Sequence, residues 1–119
     1  MNREIKFRMW DIKYQQFVDV EIIQSKLNDF FESKSYIFQQ FVGLKDKNGK
    51  DIYEGDIVDF ITGLKMGIGT VIYHQAQFCI EYTLIKGIGE KGQDKTFIVP
   101  SQTEIIGNIF ANPELLKNA

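Results

Sequence analysis

A mainly β domain is what the sequence predicts, on three observations. The segment "EIKFRMW" alternates apolar and polar residues with the period of a half-buried strand. The segment "GLKDKNGKDIYEGDIVDF", Gly43 to Phe60, sets two turn signals, Asn48-Gly49 and Gly55, between β-forming runs. Further runs rich in Ile, Val, Phe and Tyr follow, separated by turn residues. A length of 119 residues suits one domain, and 44% apolar residues with ten Phe and five Tyr supply the surface for a core.

The first strand places Ile5, Phe7 and Met9 on one face and Glu4, Lys6, Arg8 and Trp10 on the other. Asp11 to Tyr14 break the pattern and "QQFVDV" resumes it, which predicts an N-terminal hairpin. Val20, Ile23, Leu27, Phe30 and Phe31 lie at helical spacing, and Ser25 is a candidate N-cap, so a helix is assigned to about 25–33. "SYIFQQFVG" reads as a strand. Asn48-Gly49 predicts a type I′ hairpin, and Gly55 a sharp turn before "DIVDFI".

In "GTVIYHQAQFCIEYTLI" a two-residue turn at Gln75-Ala76 would set Tyr73 opposite Phe78, Val71 opposite Ile80 and Ile72 opposite Cys79. "TFIVP" reads as a strand that Pro100 ends, and "TEIIGNIF" as the last strand, with Gly107 a bulge. "NPELL" predicts a short closing helix, with Asn112 as N-cap and Pro113 in the first turn.

Three blocks, "REIKFRMWD" at 3–11, "GLKDKNGKDIYEGDIV" at 43–58 and "EIIGNIFANPELL" at 104–116, resemble the YopX family of small proteins encoded by bacteriophages and prophages. The resemblance spans nearly the whole chain. It implies an SH3-like barrel or roll, mainly in the second half, within a single domain of residues 1–119. An N-terminal sub-region, 1–42, would pack on a barrel of 43–116. It implies no catalytic residue, cofactor or activity that carries over. Met9 stands where the family commonly has Ala, a change of core size.

Several constellations invite a chemical reading. Asp46, Asp51, Glu54, Asp56 and Asp59 crowd one stretch, but the calcium-loop pattern needs Gly and Glu where Asp51 and Ile57 stand. Asp46 and Asp56 are better read as acceptors for turn amides. "GIGEKG", 87–92, matches a dinucleotide fingerprint in letters, yet strand and not helix follows, so it reads as a hairpin loop. His74 and Cys79 are the sole imidazole and thiol, placed as diagonal neighbours on one sheet face. A single Cys excludes an internal disulfide and suits a reducing cytoplasm.

The net charge is −2, which gives no support for tight duplex binding. No apolar run reaches the roughly 18–20 residues of a membrane helix. The expectation is a protein of a bacterial host's cytoplasm that binds no metal or dinucleotide tightly. It is expected to be a non-enzymatic module that binds a protein partner or assembles with itself. A nucleic-acid accessory protein and an acid- or metal-dependent hydrolase are the alternatives. Aromatic residues exceed what one small core readily holds, so Trp10, Phe30, Phe31 and Phe110 are candidates for a partner surface. Lys6, Arg8 and Trp10 form a basic-aromatic strip that single-stranded nucleic acid would fit. Asn48, Gly49, Gly55 and Gly107 are assigned to turns and a bulge.

Overall fold

A computed structural model describes residues 5–18, 35–63, 65–87 and 90–116. Strands β1 (Phe7–Asp11), β2 (Gln16–Phe17), β3 (Tyr36–Lys45) and β4 (Asp51–Tyr53) form one sheet in the order β2-β1-β3-β4. Strands β5 (Asp56–Thr62), β6 (Lys65–His74), β7 (Gln77–Gly87), β8 (Glu90–Thr96) and β9 (Thr103–Asn108) form the second, in the order β8-β7-β6-β5-β9. All pairings are antiparallel, and one sheet curls into a half-barrel, giving the mainly β fold expected.

The sheets meet at Gly55, between β4 and β5. Its N–H donates to the Val71 carbonyl at 2.8 Å and its own carbonyl accepts from Ile109 at 2.9 Å. Its φ is +90°, and a Cβ there would run into Gln39 Nε2, so both backbone angle and space call for glycine. This seam lies later than the sequence boundary at residue 42. Strand β3 crosses that position unbroken and pairs with β4 as far as Lys45↔Asp51.

The β6–β7 hairpin has the register read from the sequence, with Tyr73↔Phe78, Ile72↔Cys79 and Val71↔Ile80. Gln75 and Ala76 both take positive φ, 50° and 64°, as a type I′ turn requires. The turn at Asn48-Gly49 is different. Only Gly49 has positive φ, +81°, while Asp46 N–H bonds the Lys50 carbonyl and Gly49 N–H the Asp46 carbonyl. This is a three-residue loop with glycine in the left-handed position, and not the type I′ turn expected. The Asp46 carboxylate holds the loop by accepting from Asn48 N–H and Lys50 N–H, each at 2.9 Å.

Three further expectations change. The strand read at "TFIVP" lies upstream, because β8 ends at Thr96 and Pro100 opens a 3-10 turn. The bulge read at Gly107 centres on Ile106, the residue skipped between Ile57↔Gly107 and Val58↔Ile105. Gly107 gives the closing turn room, since a Cβ would lie 2.7 Å from Leu115 Cδ1. That turn, Pro113–Leu116, is 3-10, and the Asn112 side-chain oxygen accepts from Asn108 N–H at 3.2 Å. The helix read at 25–33, with Phe30 and Phe31, lies outside the described residues.

The main core joins both sheets. Val42 and Ile52 pack with Val58, Phe60, Val71, Ile80 and Tyr82. A second, smaller cluster gathers Val18, Tyr36 and Phe38 around Met9, which is fully buried. Met9 is therefore a core residue of β1.

Candidate functional site

The side of β1 that carries Arg8 and Trp10, with Lys6 just before it, docks against the rest of the protein. Trp10 is only 6% exposed, packed edge-on to Phe17 at 5.0 Å and stacked on Phe110 at 6.1 Å. Its assignment to the surface is thus corrected, because β2, β3 and the residues after β9 close around it. Phe110 is half-buried in the same stack. The opposite face leaves Ile5 68% exposed and Phe7 38% exposed. The apolar side of the strand faces out at its start and the polar side docks.

Arg8 is the centre of that docking. Its Nη2 contacts Asp56 Oδ1, and its Nε donates to Gln39 Oε1 at 2.8 Å. The guanidinium carbon lies over both the Phe17 and Tyr53 rings, 4.5 Å from each centre. Asp56 is 1% exposed and also accepts from Tyr53 N–H at 2.8 Å. Asn108 donates to the same Gln39 oxygen at 3.2 Å, so four side chains close one buried network across the seam. Burial pushes the Asp56 carboxyl above its usual value, against the pull of Arg8 and the Tyr53 amide. Lys6 in turn bonds Asp51 at 2.6 Å and lies 4.4 Å from the Phe41 ring.

The acids of residues 46–59 are drawn to different tasks. Asp46 is buried, and besides its own loop it accepts from Ile105 N–H at 3.0 Å, tying that loop to β9. Burial pushes its carboxyl up, but the amides of Ile105, Lys50 and Asn48 outweigh it and hold the group below the ordinary value. The Lys6 hydrogen bond likewise lowers Asp51. Asp59 is exposed on β5 and Glu54 half-buried beside Gly55. Among the described residues, no group of three or more His, Cys, Asp or Glu converges to hold a metal ion.

Cys79 and His74 line one depression of about 380 Å³ with Lys65, Lys95, Thr96 and Phe97. Cys79 is buried, and burial pushes its thiol up, away from the thiolate a nucleophile needs. The "GIGEKG" stretch connects β7 to β8, with Gly87 opposite Glu90 and Gly92 inside β8 opposite Leu84. Its described residues, Gly87 and 90–92, are strand, where the fingerprint would need a helix to begin. Sequence reasoning missed Gln39 and Asn108, polar residues in apolar strands with no local signal of a shared partner. It also missed Phe97, which was read as part of a strand.

The model of the family described as YopX protein matches residues 19–117. The chain belongs to the YopX family. Its fold is also that of protein EF1440 from Enterococcus faecalis, whose crystal structure superposes with a TM-score of 0.62 at 21% identity. That match covers 97% of this chain and 99% of the other. No curated protein matches. Among the described residues, no helix is long and apolar enough to cross a membrane.

Proposed function

We propose that this YopX-family chain is a phage- or prophage-type module without catalytic activity, working in the cytoplasm of a bacterial host by assembling with a second copy of itself. The observation that carries this reading is a concentration of exposed apolar side chains in one short stretch. Ile5, Phe7, Ile12, Tyr14 and Phe17 are each more than a third exposed. Exposed large apolar groups favour protein contact, because covering them removes apolar area from water without a charge penalty. The groups best suited to chemistry are engaged elsewhere: Asp46 holds backbone amides, Asp56 holds Arg8, and the Cys79 thiol is buried.

Light scattering after gel filtration tests the reading. The wild-type chain is expected to run as a symmetric dimer, and Ile5→Asp with Tyr14→Asp as a folded monomer. A wild-type monomer at micromolar concentration would overturn self-assembly. Affinity capture from prophage-induced cells then identifies a different protein partner, if one covers this surface.

A further inference from the structure

The depression at the end of β8 combines features that the self-assembly reading does not use. Strand β8 pairs with β7 as far as Ile80↔Thr96, and one further step of that register sets Phe97 beside Cys79. Ile98 then turns inward against the main core, which holds Phe97 out. The outward direction follows from the alternation, but the choice of a large aromatic there does not. Phe97 is 73% exposed, the most exposed of the large apolar residues described.

Two cations share its depression. Lys65 and Lys95 line the same hollow of about 380 Å³, with His74, Cys79 and Thr96 also in its wall. That volume falls in the range of small-ligand sites. The acids that face these cations are Asp94, 3.5 Å from Lys65, and Glu81, 3.5 Å from Lys95. Both pairs are long and partly exposed, so they hold weakly and an incoming anion can replace them. Asp94 has a second partner, since it accepts from the Tyr82 hydroxyl at 2.9 Å and stays engaged when Lys65 leaves.

We propose that this depression binds a base–phosphate unit of single-stranded nucleic acid. The base stacks on Phe97, and the phosphate lies between Lys65 and Lys95, with His74 as a further donor at the rim. An exposed ring in a depression that lysines also line is the combination that recognises an unpaired base and its backbone together. A duplex hides its base faces from such a ring. The site is separate from the Lys6, Arg8 and Trp10 strip, whose cations are committed to Asp51 and Asp56.

The test is fluorescence anisotropy of a labelled oligothymidine against the full chain at low and moderate salt. Matched arms use thymidine monophosphate, inorganic phosphate and a duplex of equal length. Binding is expected with Kd of about 10⁻⁴ to 10⁻⁶ M that weakens with salt. Phe97→Ala is expected to weaken it about tenfold. Lys65→Ala with Lys95→Ala should reduce the salt slope by about two, and Arg at both positions should restore it. These side chains lie at the surface, and unchanged thermal unfolding confirms that the variants fold. Equal occupancy by thymidine monophosphate supports the same chemistry with a free nucleotide as its source. No binding by oligomer or monophosphate overturns the proposal, as does binding unchanged in both variants, or binding by inorganic phosphate as tight as by the oligomer. A dimer that Phe97→Ala splits, with no oligonucleotide bound, would assign the ring to the protein interface instead and also overturn it. The Ile5 and Tyr14 variants test self-assembly independently.

Discussion

The barrel core and the docking face of β1 are built on opposite principles. Val58, Phe60, Val71, Ile80 and Tyr82, with Val42 and Ile52, close the barrel by apolar burial. At the docking face, Arg8, Asp56, Gln39 and Asn108 join the first sheet to the second through a buried polar network. Apolar contacts are numerous, non-directional and degrade gradually when one is trimmed. A buried ion pair fails abruptly, because removing one member leaves the other uncompensated in a poorly solvated place. The two regions should therefore respond differently to single substitutions.

The largest effect is expected at Arg8. Arg8→Ala should destabilise by about 3–5 kcal/mol, since it strands the Asp56 carboxylate and uncovers the Phe17 and Tyr53 rings. Hydrogen exchange should show β1 and the first half of β3 losing protection before β6 and β7 do. Equal losses throughout would mean that the two regions unfold as one unit. Arg8→Lys keeps the charge but loses the planar fork, so it should recover only part of the stability.

Gly55→Ala attacks the same seam through the backbone. The added Cβ meets Gln39 at a φ of +90°, and a loss of about 2 kcal/mol or more is expected in the denaturant midpoint. A neutral result would show that Gln39 yields freely and that the network tolerates its movement.

Asp46→Asn comes next, at about 1–2 kcal/mol near neutral pH, because an amide oxygen replaces a carboxylate acceptor for three backbone N–H groups. Its pH dependence separates it from the clamp. Asp46 has a folded pKa below its unfolded value near 3.8, so its contribution is complete above that value and is lost as pH falls through the folded pKa. Asp56 has the reverse sign. Its folded pKa is raised, so the folded state holds the extra proton, and stability declines as pH rises from about 3.8 through the raised value. Chemical denaturation from pH 2 to 7 should show the acid limb flattened in Asp46→Asn. The rise in stability towards acid should vanish in Asp56→Asn, measured against its own neutral-pH value.

The smallest effect lies in the barrel. Gln75 and Ala76 hold a type I′ turn with two non-glycine residues at positive φ. Gln75→Asn with Ala76→Gly should relieve that strain and stabilise by about 1 kcal/mol, raising the unfolding midpoint without changing the hairpin register. Destabilisation would mean that neighbouring contacts and not backbone angle select these residues.

Local patterns carried much of the fold. Alternation in residues 65–87 was enough to set the β6–β7 register, since a shift by one residue would turn Val71 and Ile80 away from the core. Gly49 and Gly55 announced their turns through the freedom that only glycine has at positive φ. The Asn48-Gly49 loop type was not legible, because the Asp46 carboxylate chooses it by reaching two of its amides and one from β9. The direction of β1 was not legible either. Period-two alternation divides a strand into two faces but does not say which face is inside, and "EIKFRMW" has the usual rule reversed at its start. Asp56, 48 residues away from Arg8, decides it. A buried carboxylate requires a cation, and a guanidinium flanked by aromatic rings can be taken out of water where a lone charge cannot. Sequence patterning thus determined the strands and most of their turns. The tertiary structure alone determined that the Arg8 side of the first strand is buried as well as the Met9 side, because that burial rests on a charge pair that no local window contains.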